Sequence, residues 1–193
     1  MTPEAEFPTL CTPRLRLREI SDADVPALCE LHGPSDHMQW FGSDPITGPE
    51  GARQLVQTFS AWRRLPNPGT RWGIERTSAP GLIGSCGLFA WNRNWRKCSL
   101  GYELAAPCCG QGLMREALTA IIGWGLVQMQ LHRIEAQVHE RNEASLGLLH
   151  RLGFVQEGRL RELGYWGGRH HDLLQLSLLA SEWQTGQAAA PKV

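Results

Sequence analysis

Leu100–Gly125 reads LGYELAAPCCGQGLMREALTAIIGWG, and the fold follows from it. The first residues, Leu100–Leu104, are a strand. Ala105–Pro107 breaks it, because proline has no N–H to give a ladder. Gly110 and Gly112 frame a turn that lets backbone amides approach a ligand closely. A helix then runs from Leu113 to near Met129. Leu113, Ala117, Ala120, Ile121 and Trp124 form one apolar stripe, and Met114, Leu118, Ile122 and Leu126 form a second. Only Arg115, Glu116, Thr119 and Gly123 make a polar edge, so the helix is expected between layers of the core. Its first turn carries unpaired N–H groups and the positive end of the helix dipole. Two readings stay open on these residues alone: a cradle for phosphate or a plain strand-to-helix bend.

Upstream, Arg14–Ile20 alternates Leu15 and Leu17 with Arg14, Arg16 and Arg18, the pattern of a half-buried strand. The arginines read as a solvated face. Ser21 or Asp22 caps a helix reaching His32, with Val25, Leu28, Cys29 and His32 on one stripe. Residues 36–47 are aromatic and loop-like; Trp40 and Phe41 either wall a pocket or anchor the loop on the core. A helix is predicted over Pro49–Leu65, with Ala52, Leu55, Val56, Phe59 and Trp62 inward. Arg71–Arg76, Gly81–Trp91 and Trp95–Leu104 form an antiparallel meander, the second strand starting after a turn at Ser78–Gly81.

Downstream, Arg133–Val138 is a strand. Asn142 caps a helix whose Ser145, Leu148, Leu149 and Leu152 share a stripe, ended by Gly153. Phe154–Leu163 and His170–Leu178 are two further strands. The order predicts an α+β (mixed α/β) fold, one sheet with helices on both faces. The 193 residues suit a single domain over 1–193, with a core of about 12–183 and a frayed tail at Thr185–Val193.

Nineteen Lys and Arg balance nineteen Asp and Glu, which gives no overall pull toward nucleic acid or acidic membranes. No run of roughly 18 apolar residues suggests a membrane span, and the N-terminus lacks a signal-peptide pattern. A cytoplasmic protein is the expectation. The six cysteines show no C-x-x-C spacing, so no metal site is expected and the thiols are read as reduced. Cys108 and Cys109 are two ordinary thiols rather than a strained disulfide. Eight tryptophans stand against two tyrosines. Trp40, Phe41, Trp72, Trp91 and Trp166 are candidates for a substrate pocket.

Taken in order, TPRLRLREISDADVPAL, LGYELAAPCCGQGLMREAL, NEASLGLLHRLGFVQEGRLRE and YWGGRHHDLLQLSLL resemble the GNAT-superfamily N-acetyltransferases, and within them the RimJ/RimL-type branch. The resemblance spans Thr12 to about Trp183. It implies a mostly antiparallel twisted sheet splayed between the fourth and fifth predicted strands. It also implies acetyl-CoA as co-substrate, a primary amine as acceptor, no metal, and neither nucleic acid nor membrane as partner; a homodimer is compatible with it. The family turn is Gln/Arg-x-x-Gly-x-Gly/Ala. Here Cys109 replaces the first residue, Gly112 is in place, and Met114 replaces the small residue, so backbone amides must carry the binding.

The resemblance assigns the cofactor site to Leu104, Ala105, Gly110, Gln111, Gly112, Leu113, Met114, Arg115, Asn142 and Ser145. Leu104 or Ala105 would polarise the thioester through a backbone N–H. Ser99 stands where the branch often has Glu, which leaves Glu103 as the carboxylate that takes or orients a proton. The other reading of Glu103 is a solvent-exposed or salt-bridged side chain. Leu149 stands where many members have a tyrosine; the resemblance to the branch's Asn-x-x-Ser pattern implies Ser145 as the group that protonates or stabilises the sulfur. Asn142 is either a CoA contact or an N-cap. Asp172, beside His170 and His171, is read as a structural hydrogen-bonding group. Two other functions remain open: a CoA-binding module without transfer, and a generic nucleotide-phosphate binder.

Overall fold

The computed structural model describes residues 6–183. The predicted tail, Thr185–Val193, lies outside them. The chain runs β1 (Leu10–Cys11), β2 (Leu15–Arg18), α1 (Val25–His32), α2 (Gly48–Ala61), β3 (Thr70–Arg76), β4 (Ala79–Asn92) and β5 (Lys97–Leu104). It continues with α3 (Leu113–Gln128), β6 (Arg133–His139), α4 (Glu143–Arg151), β7 (Val155–Trp166) and β8 (Arg169–Leu179). The strands form one sheet in the order β1-β2-β3-β4-β5-β6-β8-β7. Every neighbouring pair is antiparallel except β5 and β6, which run parallel. Among the described residues no helix is long and apolar enough to cross a membrane.

Each face of the sheet carries a different core. Leu15, Leu17, Trp72, Ile74, Leu88 and Leu100 point to the face covered by α3 and α4. Leu118, Ile121 and Ile122 of α3 and Leu149 of α4 meet them and are fully buried. Burial of each such side chain contributes about 2 kcal/mol. On the other face Leu28 of α1 packs with Ala52, Val56 and Phe59 of α2 and Ile20. The two apolar stripes of α3 therefore serve one large core.

Several boundaries differ from the expectation. The two-residue strand β1 was not expected; it is too short to show a period. Asp22–Asp24 opens α1 as a 3-10 turn, and Asp24 accepts the Ser21 N–H at 2.9 Å. Helix α2 ends at Ala61 and tightens into a 3-10 turn, Trp62–Arg64, where the Trp62 carbonyl receives the Gly69 N–H. The turn before β4 takes only Thr77–Ser78, so Ala79 and Pro80 belong to the strand. Strand β5 starts at Lys97, after a turn held by Asn92 Oδ1 and the Trp95 N–H at 2.9 Å. The β7–β8 hairpin closes through Gly167–Gly168, both at positive φ (59° and 71°), the two-residue geometry that glycine favours.

Arg16 and Arg18 do not simply face solvent. Arg18 bridges Asp24 and Glu75, at 2.8 and 2.7 Å, and Arg16 reaches Glu75 at 3.3 Å. The sequence shows that they leave the core; only the β2–β3 register shows what they meet.

Candidate active site

Strands β5 and β6 pair over three residues only: Lys97, Cys98 and Ser99 against Arg133, Ile134 and Glu135. Strand β6 stays paired with β8 along its whole length, Arg133–His139. From Leu100 onward β5 keeps its bonds to β4 and leaves β6, so a wedge opens between them. Which amide faces the wedge follows from antiparallel alternation. The Ala105 N–H bonds the Ile83 carbonyl at 2.8 Å, so it faces β4. Leu104, paired opposite Gly84, then turns its N–H away from β4 and into the wedge. Of the two amides proposed from sequence, Ala105 is engaged in the sheet and Leu104 remains.

The turn beyond β5 is firmly braced. Ala106–Cys108 is a 3-10 turn, its Cys108 N–H bonded to the Ala105 carbonyl at 2.8 Å. Gln111 gives its side-chain NH2 to the Pro107 carbonyl at 2.8 Å and accepts from Arg76 at 2.7 Å. Its own carbonyl accepts from Arg14 at 3.0 Å. Gly110 and Gly112 sit at φ 74° and 75°. The first helical bond is Glu116 N–H to the Gly112 carbonyl, at 3.1 Å. Leu113, Met114 and Arg115 therefore present amides without helical acceptors, at the positive end of a 16-residue helix. Met114 turns its bulk into the core, 7% exposed, and leaves its amide available. That removes the steric difficulty of a large residue at a position where the family motif has a small one. Replacement of Gly112 by alanine would meet little, since a Cβ there comes no closer than 3.6 Å to Arg14. Its cost is conformational, on the order of 1–2 kcal/mol for a left-handed residue. Gly112→Ala is expected to lower thermal stability by that amount and to reduce stabilisation by CoA, both read by thermal denaturation.

Glu103 points to the α1–α2 face and is buried, as are Arg71, Ser85 and His32. Its carboxylate accepts from Arg71 and from the Ser85 hydroxyl, and Arg71 Nε donates to Ser85 Oγ at 2.7 Å. His32 Nε2 stands 3.4 Å from Glu103 Oε1, an off-axis electrostatic contact rather than a hydrogen bond. Burial pushes the Glu103 carboxyl up, but the Arg71 guanidinium and His32 outweigh it and hold it down at about 2. Glu103 thus has the salt-bridged form of the two readings. A carboxylate of such low proton affinity is a poor base.

At α4, Asn142 Oδ1 accepts the Ser145 N–H at 3.2 Å, so Asn142 caps the helix. Leu149 is fully buried. The Tyr102 hydroxyl, from β5, lies 3.5 Å from the Ser145 carbonyl. The sequence reading missed this residue because it sought a tyrosine on the helix. The available signal was alternation, since Tyr102 stands two residues before Leu104 on the same face.

A family model described as an acetyltransferase (GNAT) domain matches residues 14–155. The chain belongs to the GNAT acetyltransferases. An uncharacterized N-acetyltransferase of Bacillus subtilis, YoaA, is 35% identical over 86% of this chain and 93% of its own. The [ribosomal protein uS5]-alanine N-acetyltransferase of Escherichia coli is 35% identical over 92% of this chain and 94% of its own. Among solved structures, RimJ of Mycobacterium smegmatis in complex with CoA-disulfide superposes with a TM-score of 0.76 at 23% identity, covering 87% of this chain and 83% of that one. This GNAT chain is an N-acetyltransferase.

A cavity of about 220 Å³ reaches the end of β5, lined by Ala27, Leu31, Phe41, Ile83, Leu104 and Ala105 among others. Trp40 lies 5.0 Å from His139, at the end of β6. Trp166 stacks on His171 at 3.8 Å, and its Nε1 donates to the Gln39 carbonyl at 3.0 Å. Asp44 accepts the Gly167 N–H at 2.7 Å. The β7–β8 hairpin tip thereby clamps the 39–44 segment. Trp40, Phe41 and Trp166 are brought to one end of the sheet, Trp166 as the buried anchor.

Trp72 and Trp91 are not. Trp72 is fully buried in the large core, packed against Trp124, with its Nε1 donating to the Pro8 carbonyl at 2.6 Å. Trp91 lies roughly 24 Å along β4 from the Gly84–Leu104 pair, given about 3.4 Å per residue. Asp172 accepts from Arg159 Nε at 2.6 Å and from the Glu162 N–H at 2.7 Å, and so pins a β7 bulge at a positive-φ residue.

Proposed function

We propose that this N-acetyltransferase moves the acetyl group of acetyl-CoA directly to the α-amine of a protein or peptide N-terminus. The wedge carries the reading: β5 leaves β6 after Ser99, and Leu104 turns an unpaired N–H toward it beside the N-terminus of α3. The Leu113–Arg115 amides would hold the pyrophosphate, with Gly110, Gln111 and Gly112 shaping the turn. The pantetheine arm would lie in the wedge and bring the thioester to Leu104. Attack of the amine forms the C–N bond. The Leu104 N–H then stabilises the oxyanion, and the C–S bond breaks near α4.

Ser145 would stand at the sulfur, with Asn142 holding the helix turn beneath it. Glu103 acts here as a fixed negative charge behind the strand. The acceptor class is supported by the similarity to the uS5-alanine enzyme. It also fits the cavity's walls, where Glu30 is the one carboxylate among the described lining residues; a polycation would seek a cluster of them. The second reading, a CoA-binding module without transfer, is favoured by Cys109 at the motif's first position and by Glu103 locked in its ion pair.

The test combines CoA-induced thermal stabilisation with thiol release from acetyl-CoA. Acceptors would be short peptides with N-terminal alanine or serine, spermidine, and small monoamines. Stabilisation with turnover on peptides supports the proposal. Turnover on spermidine alone replaces its acceptor, and stabilisation without turnover supports the binding module. Stabilisation by ATP but not by CoA removes the acetyl-CoA reading. Ser145→Ala is expected to lower turnover about tenfold, the scale of one lost hydrogen bond, with CoA stabilisation unchanged. Unchanged turnover removes Ser145 from the reaction.

A further inference from the structure

The leaving thiolate needs a proton, and α4 holds no phenol. The protein has two tyrosines, Tyr102 and Tyr165. Tyr165 is exposed on β7, away from the wedge. Tyr102 lies on β5 two residues before Leu104, so the two share a side-chain face and both turn their N–H groups toward the wedge. That face is the one covered by α3 and α4, and Tyr102 packs there against the large core. Its hydroxyl crosses from the strand to the first turn of α4, where it meets the Ser145 carbonyl at 3.5 Å. The side chain therefore spans the place where the strand carrying the Leu104 amide faces the helix carrying Ser145.

We infer that the Tyr102 hydroxyl is the proton donor to the departing CoA thiolate, a role that rests on the acetyl-transfer reading above. As the C–S bond breaks, its electron pair stays on sulfur. Sulfur takes the Tyr102 proton and leaves as CoA–SH. The tyrosinate regains a proton released by the ammonium that acylation forms, so no net proton is gained or lost at the site. The chemistry suits a phenol better than the alcohol beside it. A thiol ionises near 8.5 and an unperturbed phenol near 10, whereas a hydroxyl of water-like acidity ionises near 15.7. Burial raises the Tyr102 phenol to about 12, partly offset by the contact with Ser145, so the donor stays loaded at neutral pH. Ser145 then orients and hydrogen-bonds the sulfur, and Tyr102 delivers the proton.

Two variants test the inference. Tyr102→Phe keeps the ring and its packing and removes only the hydroxyl. It is expected to lower kcat on the order of 100-fold, the lower range for general acid catalysis, with acceptor KM and CoA-induced stabilisation unchanged. A kcat within twofold of the parent overturns the inference, as does a loss confined to CoA stabilisation, which marks a packing role. The second variant exploits the small tyrosine count. In a Tyr165→Phe background, biosynthetic incorporation of 3-fluorotyrosine labels Tyr102 alone with a more acidic phenol. The alkaline decline of kcat is expected to begin at lower pH than in the same background with ordinary tyrosine; an unmoved profile overturns the inference. If the parent protein binds CoA and releases no thiol with any amine, the acetyl-transfer reading itself fails. That outcome is distinct from an active parent whose activity ignores Tyr102.

Discussion

Leu104→Pro is expected to lower kcat by about 10²- to 10³-fold while CoA still stabilises the protein. The proline removes one backbone N–H, and loss of a single oxyanion donor has that scale. The substitution is unusually clean at this position. The Leu104 N–H faces the wedge, and the ladder to β4 runs through the flanking Ala105 N–H to Ile83. Proline is tolerated in a strand where its missing N–H is not a ladder donor. Leu104→Ala is the control: it trims the same side chain and keeps the amide, so its kcat is expected near that of the parent. Equal kcat for the proline and alanine variants would mean that the oxyanion is held elsewhere.

Glu103→Ala should unfold the protein more readily than any surface change. It leaves Arg71 buried without its carboxylate, with a cost of about 3–5 kcal/mol. For a chain of this size that lowers Tm by roughly 10 °C. Replacement of both partners, Arg71→Met with Glu103→Leu, is expected to recover most of the loss, because the penalty comes from the orphaned charge. A further signature lies in pH. The folded Glu103 carboxyl is held at about 2, below the roughly 4.3 of an unfolded chain. A depressed carboxylate contributes stability that is complete above the unfolded value and is lost as pH falls through the folded one. The linked contribution should therefore fade as pH falls from about 4.5 toward 2 in the parent. Urea denaturation across that window should show a shallower pH dependence in Glu103→Ala. An unchanged slope would mean that the carboxylate is not ion-paired in solution.

The parts of the site that were legible in the sequence are those built from one short segment. Gly110 and Gly112 announce a turn of unusual backbone angles, and both have positive φ. The doubled apolar stripe of α3 announces burial, and Met114 and Leu118 are indeed inside. Asn142 announces a helix cap, and it is one. The parts that were not legible depend on a partner from another segment. Trp72 and Trp40 look alike in a sequence, since an aromatic ring carries no sign of which layer it enters. Strand β3 sends the first into the core, whereas contacts from the β7–β8 hairpin tip to Gln39 and Asp44 hold the segment that sets the second beside His139. The Arg18 side chain reads as solvated, yet it meets Asp24 and Glu75.

The sequence by itself determined the family, the sheet with helices on both faces, and the turn that opens α3. Hydrophobic period, turn residues and helix caps act within a few residues, and their order along the chain is a pattern that few folds share. The tertiary structure alone decided which amide faces the wedge, that Glu103 is locked to Arg71, and that Tyr102 reaches α4. Each is a relation between segments set by where β5 stops pairing with β6 and by its register on β4. A shift of one residue in that register would turn the Leu104 N–H toward β4 and exchange the faces on which Glu103 and Tyr102 lie. No local signal carries that choice; the packing of the whole sheet between its two helical layers makes it.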